Sequence, residues 1–347
     1  MRRIALLAVL VVAGMTAIAA MPAGSANEVN LYSYRQPFLI NPILEEFTKR
    51  TGIKVNVVYA KRGMLEKIKA EGSNTPADAV LTVDIGRLHD MVEAGVLQPV
   101  KSVVLEGNIP PQYRHPEGYW YGLTTRARIL FVSKDRGGVD EVTTYEDLAD
   151  PKMKGRVCMR SGKHVYNVSL IASIVAAKGK EAAKNWLQGF RDNLARRPQG
   201  NDRAQVKAIF EGVCDVAVAN TYYMGKMATN NKQPEQKKWA AAVRIVFPNA
   251  NGRGTHVNIS GAAIAKHAPN KDNAVKLLEF LSDDYAQKAY AEQNFEYPVK
   301  AGVSVHPLVA SWGTLRADTT NLAKIAKFRG VAARLVDEVG FDLGSGS

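Results

Sequence analysis

The sequence predicts a two-lobe α/β protein, and three observations carry that expectation. From Glu28 onward, short β-rich runs alternate with amphipathic helical stretches, the pattern of a parallel sheet flanked by helices. The chain has 347 residues, more than the roughly 250 that a single core usually serves. Two long extended runs, residues 119–132 and 256–265, are placed to cross between lobes.

The opening reads β-α-β, with a strand at 29–33, a helix at 42–51 and a strand at 54–59. Ile43, Leu44 and Phe47 give that helix its apolar face, and Arg50-Thr51-Gly52 is a suitable stop. A helix over 64–70, a strand over 79–83 and a helix over 85–94 closed by Gly95 follow. Residues 101–116 read as loop, because Pro110-Pro111 and His115-Pro116 break regular structure.

After the first crossing run, a second series is expected: a strand at 156–159, helices at 168–178, 180–193 and 204–211, and strands at 213–219 and 243–247. The glycine-rich residues 249–254 lack the Lys-Ser/Thr ending of a phosphate loop and read as a turn before the return crossing. Helices over 270–281, 283–293 and 322–339 complete the chain, with no repeat of solenoid period. The expected division is lobe 1 from 27–126 plus 260–347, and lobe 2 from 127–259.

Arg2-Arg3, an apolar stretch over 4–20 and small residues ending at Ala26 form a secretory signal peptide, residues 1–26. No cysteine stands at the cleavage point to take a lipid, and no later run approaches the roughly 18 apolar residues of a membrane span. The net charge of +13 is spread along the chain and favours an anionic ligand or surface. Export and the lack of an aromatic-and-basic stripe argue against nucleic acid. Cys158 and Cys214 enter an oxidising compartment, where a disulfide is expected and free buried thiols are the alternative. No Gly-x-Ser-x-Gly elbow or His-Glu-x-x-His motif supports an exported hydrolase, and the histidines are isolated from one another.

Tyr222 and Tyr223 directly follow the apolar run 213–219. A strand sends successive side chains to opposite faces, so the pair can face one target only if a turn or helix begins there. The carboxyl end of a strand is also where open α/β sheets place ligands.

Six segments, in order, resemble those of the ferric-ion-binding proteins of bacterial ABC transporters. They are Val29-Asn-Leu-Tyr-Ser-Tyr-Arg35, Phe47-Thr-Lys-Arg-Thr-Gly-Ile53, Pro76-Ala-Asp-Ala-Val-Leu-Thr-Val-Asp84, Gly122-Leu-Thr-Thr-Arg-Ala-Arg128, Ala219-Asn-Thr-Tyr-Tyr223 and Leu315-Arg-Ala-Asp-Thr-Thr-Asn-Leu322. The resemblance implies the two-lobe periplasmic binding-protein fold of class II type, two hinge strands and a ligand cleft between the lobes. It further implies a monomeric periplasmic protein that is not an enzyme and hands ferric iron to an inner-membrane ABC permease. An anionic or organic solute, a phosphonate or thiamine, is the alternative cargo.

By the same resemblance the iron ligands are Tyr166, Tyr222 and Tyr223. Where many members carry His-Tyr in the first loop, this chain has Gln36-Pro37, which leaves Tyr34 either a substitute ligand or a wall residue. Carbonate, another small anion or water would complete the shell. Arg126 or Arg128 could supply a planar bidentate fork to that anion, and the family segment favours Arg126 as the anion's partner. Lys226, four residues past Tyr222, would act on that phenol, with Gln36 and Arg35 nearby.

The residue types suit the ion. Ferric ion is a hard acid that prefers oxygen donors. Phenolate is a strong oxygen base, but free tyrosine titrates near 10, so the cation itself must stabilise the anion. Binding should release protons and weaken in acid.

Overall fold

A computed structural model describes residues 27–345. The expected signal peptide, 1–26, lies outside the described residues.

Strand β1 (Glu28–Ser33) pairs in parallel with β2 (Lys54–Tyr59) and with β3 (Ala79–Thr82). Helix α1 (Pro37–Thr51) links the first two and begins five residues before the expected start. Pro37 stands at the first helical position, where its missing N–H is not needed, and Pro42 falls inside the helix, where it removes one intrahelical bond; burial of Leu39 and Ile40 carries the core-facing stripe back to Pro37. Gly52, at φ 70, ends the helix by donating its N–H to the Thr48 carbonyl.

Helices α2 (Met64–Glu71) and α3 (Ile85–Glu93) flank β3, and β4 (Leu97–Gln98) follows. The segment read as loop contains a helix, α4 (Val103–Asn108), capped by the Ser102 hydroxyl, which accepts from Leu105 N at 3.2 Å. The breaking prolines lie beyond it, and Leu105 is its single buried side chain, too weak a period to read.

Strand β5 (Tyr121–Ser133) is buried along its whole length and is shared by two sheets. Beyond it come β6 (Val157–Cys158), α5 (Val165–Lys178), α6 (Lys180–Asp192), α7 (Asp202–Phe210), β7 (Val216–Asn220), α8 (Tyr222–Ala228), α9 (Glu235–Ala241) and β8 (Val243–Val246). Next are β9 (Val257–Ala265), α10 (Lys271–Leu281), α11 (Asp284–Asn294), β10 (Tyr297–Pro298), α12 (Pro307–Ala310), α13 (Leu322–Ala326) and α14 (Arg329–Glu338). The first half of β5, to Ala127, pairs antiparallel with β9; from Arg128 onward it pairs with β7 and β8. The strand order is β2-β1-β3-β9-β5-β7-β6. Each end has its own core, one around Val29, Ile43, Phe47 and Leu278, the other around Phe131, Ile209 and Ala219.

Cys158 and Cys214 form a disulfide that ties β6 to the segment entering β7. The C-terminal helix expected over 322–339 is two helices, and α14 packs against α5 and α6. Asp342 accepts from the Ser161 hydroxyl at 2.6 Å and from Gly162 N at 2.7 Å. The chain therefore passes a third time between the sheets, where Ala317 bridges Thr255 in parallel.

Candidate metal centre

Strand β7 ends at Asn220, and α8 starts at Tyr222. The helix start turns both phenols the same way, with ring centroids 4.4 Å apart and planes 35° apart. Tyr166 is the second residue of α5, whose first turn is capped by His164 Nδ1 accepting from Tyr166 N at 3.3 Å. The Tyr222 hydroxyl donates to the Tyr166 hydroxyl at 3.5 Å, across 56 residues of sequence. Burial and then Arg160 push the His164 imidazole down to about 4, so it is neutral at pH 7.

Tyr34, Arg35, Gln36, Arg126, Tyr166, Tyr222, Tyr223 and Lys226 all line one cavity of about 210 Å³. Arg128, two residues further along β5, does not; it is buried with Nη1 2.6 Å from Asp202, Nε bonded to Asn167 and its guanidinium 6.0 Å from the Tyr166 ring centroid. Residues two apart share a face of a strand, so it is the ion pair with Asp202, and not alternation, that holds the Arg128 guanidinium off the cavity wall. The Tyr34 hydroxyl accepts from Met64 N at 3.0 Å, and the Arg87 guanidinium lies 4.1 Å from its ring centroid. Gln36 stands at the N-cap of α1, directly before Pro37.

Three further polar residues of the wall escaped the sequence reading: Arg203 on α7, Asn294 at the end of α11 and Glu296. The Arg203 guanidinium lies 5.1 Å from the Tyr223 ring centroid. Glu296 pairs with Arg35 at 2.7 Å, both groups almost fully buried, and accepts from the Thr124 hydroxyl at 2.8 Å. Burial alone would raise the Glu296 carboxyl, but Arg35 and Arg126 hold it at about 2. Arg126 donates to Ser260 Oγ at 3.3 Å and to the Val83 carbonyl.

Burial pushes the Tyr222 phenol well above its usual range; Tyr166 and Tyr223 add to the shift and Arg126 opposes it. Burial, then Asp202 and Tyr166, raise Tyr223 as well. Lys226, 5.0 Å from the Tyr222 ring centroid, is pulled down to about 8 by burial against the attraction of Glu296. Gly225 is needed beside it, since a Cβ there would stand 2.3 Å from a Phe295 ring carbon.

Among the described residues no group of three His, Cys, Asp or Glu side chains could hold a metal. The cavity instead gathers phenols and bases around one internally paired carboxylate. Phenols so placed suit a hard cation that displaces their protons, and the surplus cations suit an anion beside it.

A profile of bacterial extracellular solute-binding proteins matches residues 43–317. Iron uptake protein A1 of Synechocystis is 47% identical over 319 residues, spanning 92% of this chain and 88% of that protein. The apo ferric ion-binding protein A of Pasteurella haemolytica is 54% identical, with 91% of this chain and 99% of that one covered and a TM-score of 0.84. A Trichodesmium protein in complex with iron and citrate is 44% identical over 90% of this chain and 99% of its own, with a TM-score of 0.87. The chain belongs to the bacterial extracellular solute-binding protein family.

Proposed function

We propose that the protein captures ferric ion in this cavity and delivers it, in the periplasm, to an inner-membrane ABC permease, catalysing no reaction. The observation that carries the reading is the convergence of Tyr166, Tyr222 and Tyr223 from two distant helix starts onto one cavity. Three phenolates would neutralise the three charges of the ion. Tyr34 serves as wall, since its hydroxyl is engaged by Met64 N. Arg126, Lys226 and Arg203 would attract carbonate or another small anion into the remaining coordination positions. Arg35 stays with Glu296, and Gln36 contributes a neutral amide at the wall.

The walls of the cleft are lobe 1, from 27–126 and the part of 260–347 that precedes the third passage, and lobe 2, from 127–259 with α14 added, while α13 packs against both α3 and α5. The likeness to an iron uptake protein and to an iron-loaded structure supports the cargo. Calorimetric titration with ferric ion, in bicarbonate and in anion-free buffer, tests the reading with wild type and Tyr222→Phe. Equal affinity in the two proteins rejects it. The wall cations Arg203 and Lys226 also suit an anionic organic solute; a phosphonate bound in the absence of iron, with no ferric binding, would put that cargo in its place.

A further inference from the structure

Strands β5 and β9 run between the lobes, and their ladder ends at Arg128 and His256. Opposed residues of a hydrogen-bonded antiparallel pair exchange two N–H···O bonds. Here one is direct, Arg128 N to the His256 carbonyl at 2.9 Å. The other is interrupted by a side chain. The Tyr145 hydroxyl accepts from His256 N at 3.2 Å and donates to the Arg128 carbonyl. A phenol is thus inserted into the last rung.

Beyond that rung the strands part. β5 continues against β7 and β8, while Thr255 turns to Arg316 and Asp318, with bonds of 2.8 and 2.9 Å. Tyr145 is fully buried and is fixed along its own backbone: Trp186 Nε1 donates to its carbonyl at 2.7 Å, and Asn249 Oδ1 accepts from its N–H at 3.1 Å. It does not line the cavity.

We propose that Tyr145 is a positioning residue for ferric binding, its hydroxyl wedging the two crossing strands apart and setting the angle at which the lobes face each other. The proposal rests on the cavity being the ferric cleft and on closure by hinge bending. Without the hydroxyl, His256 N–H and the Arg128 carbonyl either lose their partner or close on each other directly, at the roughly 2.9 Å of an ordinary bond. Both outcomes change the splay of the strands and hence the fraction of molecules in the binding-competent arrangement. Apparent affinity follows that fraction. The phenolates themselves are untouched.

Small-angle scattering of the mature protein with and without ferric ion and bicarbonate, together with stopped-flow release of iron to a chelator, tests this in Tyr145→Phe. The ferric absorbance band should keep its wild-type position, the apo radius of gyration should change, and the release rate should shift at least about fivefold, the low end of typical coupling. Wild-type scattering in both states with a wild-type release rate, whatever the melting temperature, overturns the proposal. Should that variant not fold, Asn249→Gly frees the Tyr145 N–H while keeping the left-handed backbone of position 249, at φ 59, and must shift the same readouts. If wild type binds no ferric ion the cavity reading fails, while the apo scattering comparison still decides the role of the wedge.

Discussion

Ferric binding should expel protons in a number that Tyr222→Phe lowers by one. In the empty protein Tyr222 and Tyr223 hold their protons at neutral pH, because burial first and neighbouring groups second push both phenols up. Ligation to a metal requires the anion, so each of the pair gives up one proton on binding. Each linked proton changes log Kd by one per pH unit, about 1.4 kcal/mol. The sign is fixed: binding releases protons, so it tightens as pH rises and weakens in acid. From the pair alone, affinity rises about a hundredfold per pH unit, and Tyr222→Phe removes about tenfold of that. Calorimetric titration in two buffers of different ionisation enthalpy counts the protons. The same iron source in both proteins cancels its own titration. An identical proton count in wild type and variant would refute the assignment of Tyr222 as a ligand.

Other consequences concern the cavity's supports. Lys226 loses its charge as pH rises through about 8, so the gain in iron affinity on adding bicarbonate should shrink between pH 7 and 9 in wild type and persist in Lys226→Arg, as paired titrations with and without the anion would measure. Glu296 is held at about 2 against an ordinary 4.5; its stabilising effect is full above 4.5 and fades as pH falls toward 2, a loss of about 3 kcal/mol. Denaturant unfolding between pH 6 and 2 should show that loss, and Glu296→Gln should abolish its pH dependence. The disulfide closes a span of 56 residues, so the double Cys158→Ala, Cys214→Ala variant should lose about 4 kcal/mol by the chain-entropy relation, checked by equilibrium unfolding. Gly225→Ala drives a Cβ to 2.3 Å from the Phe295 ring, so α8 or Phe295 must shift, with a stability loss of about 1–3 kcal/mol and weaker iron binding by titration.

What the sequence made legible follows from short-range rules. Period-two geometry showed that Tyr222 and Tyr223 needed a helix start, and α8 begins there. The two extended runs became β5 and β9, whereas the Asp202 carboxylate that holds Arg128 off the cavity wall is 74 residues away in sequence and gave no local sign. Long-range packing was not legible. Arg203, Asn294 and Glu296 lie on segments whose own patterns carry no motif, and only the assembled fold brings them to one wall. The amphipathic face of α14 said that it packs, but not that α5 and α6 would receive it. Tyr145 was equally silent, because its hydroxyl matters only where β5 and β9 part.

The most direct test of tyrosinate ligation is the visible spectrum of the purified apo-protein during titration with ferric ion in bicarbonate buffer. A phenolate-to-iron charge-transfer band should grow to saturation at one ion per protein, weaken in Tyr222→Phe and vanish when Tyr166, Tyr222 and Tyr223 are all phenylalanine. Stoichiometric iron binding without a visible band, or a band that survives the triple substitution, would contradict it.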